Sequence, residues 1–491
     1  MISNDQNIGA LRHTIIEKVA ELAWEGNLNE DTKEQLVYEM IPGPKPEWRC
    51  CIYKEREIVR HRIRLAAGQN LQEKPNSANQ VQVIKPACDD CPIGAYSVTD
   101  NCRLCMGKAC MNSCRFGAIS IANHRSHIDP SMCKECGMCA QACPYGAIVH
   151  LQRPCKKACP VGAISFDEYG FCEIDESKCI NCGQCIHNCP FGAISSKTYL
   201  VDIIEKIRSG AEVYAMAAPA IEGQYGEGIS MASIREAVKK LGFKDLVEVG
   251  LGADMTAAYE AQEWSEARKE GRKMTTSCCP AFINMLKIYF PEQYKNNMST
   301  VVSPMCAVSR YLKAIHPGCT TVFIGPCIAK KSEAAEPSIP DNADYVITFG
   351  EFQNLLDSRQ IKLEQPGEGY QEATVFGKRF ASSGGVASAV LEVMQERGED
   401  TSEIKLCQAA GGAECKKALT LLKVGKLPED FLEGMCCPGG CVGGPSRIRT
   451  ENELKKAREN ILVKAKPGQI LENLENYPMN KFSMYRDGHL D

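Results

Sequence analysis

The run Cys133-x-x-Cys136-x-x-Cys139-x-x-x-Cys143-Pro144 sets four thiols at the gaps that let one loop wrap a [4Fe–4S] cluster. Cys179-x-x-Cys182-x-x-Cys185-x-x-x-Cys189-Pro190 repeats it. These belong to 29 Cys in 491 residues, against only 8 His. In a short secreted chain that density would mean disulfides. Here the chain is long, and cysteines two or three residues apart cannot all be disulfide partners. A zinc protein would draw on His or pair one CxxC with a distant one. The pattern reads as an iron–sulfur protein kept reduced in the cytoplasm.

An internal repeat refines the reading. The tripeptide Gly-Ala-Ile follows a cysteine segment at Gly117, Gly146, Gly162 and Gly192, with offsets of 29, 16 and 30 residues. An offset near 30 resembles the half-repeat of a bacterial two-cluster ferredoxin. Cys102, Cys105, Cys110 and Cys114 with the 133–143 run form one complete ferredoxin-like unit. Cys155 and Cys159 with the 179–189 run form a second, whose first half lacks two cysteines. Upstream lies Cys88-x-x-Cys91, with the missing gap, so the first unit (about 100–150) is read as nested inside the second. In such ferredoxins the fourth ligand comes from the other half. The resulting sets are Cys102, Cys105, Cys110, Cys143; Cys133, Cys136, Cys139, Cys114; Cys88, Cys91, Cys155, Cys189; and Cys179, Cys182, Cys185, Cys159. The competing reading leaves Cys88 and Cys91 as free thiols, the 155–159 half-site empty, and three or fewer accessory clusters. Cys172 is spare in either case.

The third part of the chain carries Thr276-Ser277-Cys278-Cys279-Pro280, then Pro326-Cys327-x-x-Lys330-x-x-Glu333, then Glu433-x-Met435-x-Cys437-x-x-Gly440-Cys441 followed by Gly443-Gly444. Each cysteine sits in a Pro- or Gly-rich turn, whose N–H groups can support a cluster. These segments resemble, in order, the three signature motifs of the [FeFe]-hydrogenases. The resemblance implies an H-cluster, a [4Fe–4S] cubane joined through one thiolate to a two-iron unit with CO, cyanide and an azadithiolate bridge. It implies cubane ligands Cys279, Cys327, Cys437 and Cys441, the last bridging, with Cys278 as the proton-transfer thiol. Lys330 would hydrogen-bond a cyanide, Met435 would pack on the two-iron unit, and Pro219 and Ala220 would line it. Glu260, Glu263 and Ser299 would continue the proton relay. Taken alone, the two glutamates at i, i+3 read as a solvated pair. Several positions depart from the commoner pattern: Gly325 for Met, Ala220 for Ser, Phe282 for Trp, Met305-Cys306 in the Ser303-Pro304 segment, and Ala267 where the relay's Arg would fall. They point to a divergent, group B-like subgroup. The loss of side chains at 325 and 220 predicts a looser pocket.

These residues need elements to hold them. Residues 1–85 predict a small helical region: Ile15, Val19, Leu22 and Ala23 share one helix face, and a second helix near 31–38 ends at Pro42–Pro46. Residues 86–196 hold 17 Cys and form the ferredoxin-like region. Residues 197–491 are the catalytic part, on an α/β background. TVFIGP (321–326) and ADYVITF (343–349) read as buried strands, and 233–242 and 388–397 as helices. Gly250-x-Gly252 lacks the third glycine of a dinucleotide loop and reads as a strand–helix turn, so no NAD is expected. The fold class is therefore α/β and α+β multidomain.

With 57 basic and 61 acidic residues, nothing suggests a nucleic-acid or membrane-surface partner. No apolar run approaches the roughly 20 residues of a spanning helix, and no signal peptide is expected from the first residues. The resemblance implies reversible H2 oxidation and proton reduction. Four accessory [4Fe–4S] clusters would exchange electrons with a ferredoxin-type carrier, and dedicated maturation proteins would supply the two-iron unit. A hydrogen sensor, a non-catalytic iron–sulfur assembly relative and a plain polyferredoxin are the alternatives. Cys278, Lys330 and Met435 argue against the second, and the last 290 or so residues against the third.

Overall fold

The computed structural model describes residues 6–71, 80–88, 91, 94–226, 228–364, 371–465 and 468–489. It begins with three helices, α1 (Gln6–Glu25), α2 (Glu30–Met40) and α3 (Ile52–Ala66). Ile15, Val19 and Ala23 are buried as their spacing predicts, while Leu22 is only half-buried. The third helix was not foreseen. It is tied to the preceding Pro-rich loop by Glu55, whose carboxylate accepts the N–H groups of Glu47, Trp48 and Arg49. The N-terminal helices do not stand apart. α1 packs on the helices Leu200–Arg208 and Phe349–Asp357 of the third part of the chain.

Two small α+β units follow, one threaded through the other. β1 (Val81–Val83) pairs antiparallel with β8 (Ile194–Ser196), although 110 residues separate them. Between them, β2 (Tyr96–Val98) pairs with β5 (Ile148–His150) and encloses the β3 (Ile119–Ala122) and β4 (Arg125–Ile128) hairpin. β6 (Ile164–Phe166) and β7 (Cys172–Ile174) form the matching hairpin of the outer unit. Each cysteine loop ends in the same tight turn. Gly117, Gly146, Gly162 and Gly192 adopt φ of 66, 58, 70 and 56°. That left-handed conformation strongly favours glycine and explains the repeated Gly-Ala-Ile. Within three of the loops Leu104, Glu135 and Asn181 are also left-handed, at φ 48, 56 and 55°. Side chains resist this at about 1 kcal/mol or more, so the loop geometry has been held against local preference.

The third part is built on two parallel sheets. In the first, β9 (Val213–Ala217), β10 (Asp245–Glu248), β12 (Thr320–Gly325) and β13 (Tyr345–Thr348) take the order β10-β9-β12-β13. In the second, β11 (Met274–Thr275), β14 (Leu406–Ala410) and β15 (Phe431–Met435) take the order β11-β15-β14. β9, β12 and β15 are buried almost end to end, as expected of strands covered on both faces. The long helix Val249–Lys269 follows β10 directly and is buried along most of its length. Gly252 lets it pack against the next helix, since a Cβ there would stand 2.3 Å from the Pro304 carbonyl. Among the described residues, no helix is long and apolar enough to cross a membrane.

Candidate metal centre

The C-terminal ends of parallel strands are where α/β sheets present ligands, and here several of them converge. β11 runs into Thr276–Cys279, and Pro280 opens the helix Pro280–Tyr289 with Cys279 as its N-cap. β12 leads to Pro326-Cys327, β15 to Cys436-Cys437 and the short turn Cys441–Gly443, and β9 to Ala218-Pro219-Ala220. All of these segments line one cavity with about 760 Å³ of atom-free space. Its wall holds Cys279, Cys327, Cys437 and Cys441, and beside them Cys278, Lys330, Met435, Pro219 and Ala220. The glycines of the last motif permit the approach. A Cβ on Gly444 would lie 2.8 Å from the Pro326 ring, and Gly440 at φ 88° passes the Ser383 backbone just as closely.

The donor set suits a cationic core. Burial, then the charges of Cys327, Cys279 and Cys441, push the Cys437 thiol well up. Burial and the charges of Cys279 and Cys327 push Cys441 up to about 12. Ionised together these thiols would repel one another, and the positive charge of an iron–sulfur core would offset that repulsion. Cys279 is the exception. The neighbouring Cys436 thiol hydrogen-bonds it and brings it down to about 6. Lys330 is buried and pairs with Glu333 at 2.6 Å, and its ammonium donates to the Cys278 carbonyl at 3.3 Å. Burial works against that cation, but Glu333 outweighs it and raises the lysine pKa.

Behind Cys278 lies a polar chain. Ser277 donates its N–H and its hydroxyl to Glu260, each at 3.1 Å, and Ser299 sits beside the same carboxyl. Glu260 is fully buried, which pushes it up to about 7. Reading Glu260 and Glu263 as a solvated pair is therefore wrong for Glu260: helix and strand bury it completely. Glu263, half-buried, accepts the Thr300 N–H at 3.1 Å and the Thr300 hydroxyl.

Most of the other cysteines gather in four groups. Cys102, Cys105, Cys110 and Cys143 line a second cavity. Cys139 lies within electrostatic reach of Cys133 and Cys114. Cys91 lies within reach of Cys88, Cys189 and Cys155. Cys185 lies within reach of Cys182, Cys179 and Cys159. Backbone N–H groups point at several of these sulfurs, with Ala163 donating to Cys159 at 3.2 Å and Cys172 to Cys88 at 3.4 Å. The last group adjoins the large cavity: Cys182 is within reach of Cys327, and the Gln184 amide stands 4.0 Å from Cys437.

Residues 211–445 match the family described as "Iron only hydrogenase large subunit, C-terminal domain". The chain is a divergent [FeFe]-hydrogenase-like protein. Residues 126–149 match a 4Fe-4S binding domain, and 149–200 the LdpA Fe-S cluster-binding domain. Iron hydrogenase 1 of Clostridium pasteurianum is 28% identical over 396 residues, 68% of either chain. A probable cytosolic Fe-S cluster assembly factor of Brugia malayi is 23% identical over 254 residues, covering 43% of this chain and 56% of that protein. A solved [FeFe]-hydrogenase is 22% identical with a TM-score of 0.49, covering 60% of this chain and 96% of that one.

One expectation for this hydrogenase-like chain fails. The pocket beside Gly325 is not loosened, because Phe323 fills it: a Cβ on Gly325 would lie 2.4 Å from the phenyl ring. Both residues occupy one face of β12, and the buried ring lines the cavity itself. Gly325→Met should therefore overpack the site and cost roughly 1–3 kcal/mol. Adding Phe323→Ala should restore much of it, as thermal denaturation of the two variants would show.

Sequence reading missed the C-terminal segment. Arg486 donates to the Ser277 carbonyl at 2.9 Å, and Val302 donates to the Met484 carbonyl at 2.8 Å. Segment 482–486 carries no periodic or motif signal. Cys436 was also missed, although its place in a Cys-Cys pair with Cys437 was a usable sign.

Glu260 gives a test with a definite sign. Its carboxyl stays protonated up to about pH 7 in the fold, against 4.5 for an ordinary glutamate. Below pH 4.5 both states are neutral and the fold bears no penalty. Between 4.5 and 7 a growing penalty appears, reaching about 3 kcal/mol above pH 7. Glu260→Gln keeps the acceptor for Ser277 and escapes ionisation. Its Tm relative to the parent should rise as pH goes from 5 to 8.

Proposed function

We propose that this chain is a hydrogenase interconverting H2 with two protons and two electrons at an H-cluster held by Cys279, Cys327, Cys437 and Cys441. The observation that carries the reading is the convergence of these thiols with Cys278, Lys330 and Met435 on one buried cavity. When bound, a two-iron CO/cyanide/azadithiolate unit would supply a Lewis-acidic iron and an adjacent base. The chain's own residues do the rest. Lys330, fixed by Glu333, presents an N–H donor to a cyanide. Met435, Pro219 and Ala220 give an apolar wall that excludes water. Cys278 takes or gives the proton at its sulfur, and Glu260, Ser299 and Glu263 pass it outward.

The reading extends to the rest of the chain. The four other cysteine groups hold [4Fe–4S] clusters that carry electrons to or from a ferredoxin-type partner. The units are an N-terminal helical region, which ends before β1 and not at residue 85; a ferredoxin-like region that runs from β1 to β8 with 100–150 nested; and 197–491, catalytic. Loading the purified chain with the two-iron unit should produce CO and cyanide infrared bands and H2 turnover with a reduced viologen. The similarity to an assembly factor supports a second reading, in which only cubanes bind. A chain that fills with [4Fe–4S] clusters yet shows no such bands after loading would favour it.

A further inference from the structure

The helical region 6–71 has no part in the chemistry above, yet it sends three arginines toward one cysteine group. Arg62 is only 5% exposed and donates to the Gly192 carbonyl at 3.1 Å, three residues past Cys189. Its Nε and Nη1 are buried without a hydrogen-bond partner. Arg12 lines the same small cavity, between α1, α3 and β8. Arg49 donates to the Ala87 carbonyl at 3.2 Å, next to Cys88, and lies 5.3 Å over the ring of Phe191. The carboxylate of Glu55, by taking the Arg49 N–H, fixes the loop that delivers it. A fourth arginine comes from the outer unit: Arg153, 6% exposed, stands two residues before Cys155 and donates to the Gly170 carbonyl.

Four guanidiniums outnumber the two carboxylates, Asp89 and Asp90, that the sequence sets between Cys88 and Cys91, and among the described residues little further negative charge offsets them. Burial, Arg12 and Arg49 all work against the Arg62 guanidinium and bring it down to about 9, and Cys189 alone pulls the other way. Glu351, the carboxylate whose charge most favours the Arg12 cation, is engaged by Lys331 at 2.7 Å. Glu55 already accepts three N–H groups through one oxygen. The adjoining group differs. Cys179 has Asp175 and Glu176 beside it, with Lys178 paired to Asp175. The basic residues of the nested unit, such as Arg103 and Lys108, are exposed and screened by solvent.

We propose that the N-terminal helical region is an electrostatic collar for the cluster held by Cys88, Cys91, Cys155 and Cys189. Arg12, Arg49, Arg62 and Arg153 make this the accessory cluster that takes an electron most readily. A [4Fe–4S] core on four thiolates is doubly negative when oxidised and triply negative after one electron. Buried positive charge therefore favours the reduced form. The electron comes from H2 oxidation or from the reduced carrier, and the cluster stores it between the large cavity and the nested unit. The inference rests on the accessory-cluster assignment made above.

The test is an EPR-monitored redox titration of the full, cluster-loaded chain. The Cys88→Ala/Cys91→Ala variant identifies this cluster's signal as the one that disappears. In Arg62→Gln that signal should move to lower potential. At a fixed poise its reduced-to-oxidised ratio should fall about tenfold, the order expected for one nearby unit charge at an effective dielectric near 20. Arg62→Lys should hold it in place, and the other signals should not move. If Arg62→Gln does not fold, Arg12→Gln and Arg49→Gln, at half-buried sites, carry the same expectation. An unmoved signal in Arg62→Gln and in its combination with Arg12→Gln overturns the proposal, as does an equal shift of every signal. If the cysteine variant loses no signal, the cluster assignment itself falls, and the collar with it.

Discussion

Cys278→Ala is expected to leave the clusters in place and remove at least about 99% of H2 turnover, the scale on which a positioned proton donor acts. Cys278 lines the cavity without belonging to the four-thiol set, and its side chain lies on the Glu260 side of that set. What Lys330 contacts is the Cys278 backbone carbonyl, which alanine keeps. Ser277 and Glu260 also keep their hydrogen bonds, since they involve the preceding residue. The variant should therefore fold, bind iron and, after loading, show infrared bands close to the parent's. Serine restores the shape but not the chemistry, because an alcohol is a far weaker acid than a thiol, so Cys278→Ser should be nearly as slow. Cys279→Ala should behave in the opposite way and lose the cubane. Near-parental turnover in Cys278→Ala would falsify the relay, and so would loss of the cluster there with retention in Cys279→Ala.

The two cysteines show which kinds of information a sequence carries. Features of the backbone fixed by local spacing were legible. The C-x-x-C gaps, the Pro after each run and the recurring Gly-Ala-Ile mark loops whose backbone is the same each time, down to the left-handed glycine. The parallel strands at 321–326 and 343–349 were legible because burial on both faces leaves an uninterrupted apolar run. Features that depend on distant segments meeting were not. Phe323 compensates for Gly325 only because the two share a strand face beside the cavity. Arg486 reaches Ser277 across 209 residues of chain. The third helix carries Arg62 to Gly192 across 130. A lone arginine has no spacing to betray it; its meaning comes from what folding sets beside it. Glu260 lies between the two kinds. Its helix was legible, but its complete burial, and hence its raised pKa, came from packing against Ser277 and Ser299.

Cys88→Ala with Cys91→Ala should remove one cluster and no more. Four cubanes and a six-iron H-cluster give about 22 iron atoms in the loaded chain, so the double variant should hold about 18. The argument comes from the strands as much as from the sulfurs. β1 stands immediately upstream of Cys88 and pairs with β8, which follows Cys189. That pairing draws Cys88 and Cys91 back onto the 155–189 unit, across the whole nested ferredoxin-like stretch between β2 and β5. Burial, then the charges of Cys189 and Cys155 among others, raise the Cys91 thiol, and the Cys172 N–H reaches the Cys88 sulfur. Free thiols in such company would gain little from ionising; a shared cluster accounts for their meeting. Because the adjoining Cys159, Cys179, Cys182 and Cys185 group keeps its own ligands beside Cys327 and Cys437, the catalytic cavity should be spared. Turnover with a small viologen that reaches the inner clusters should fall less than turnover with a protein carrier that enters through the nested unit. An unchanged iron count would return Cys88 and Cys91 to free thiols, and equal loss with both donors would place electron entry elsewhere on the surface.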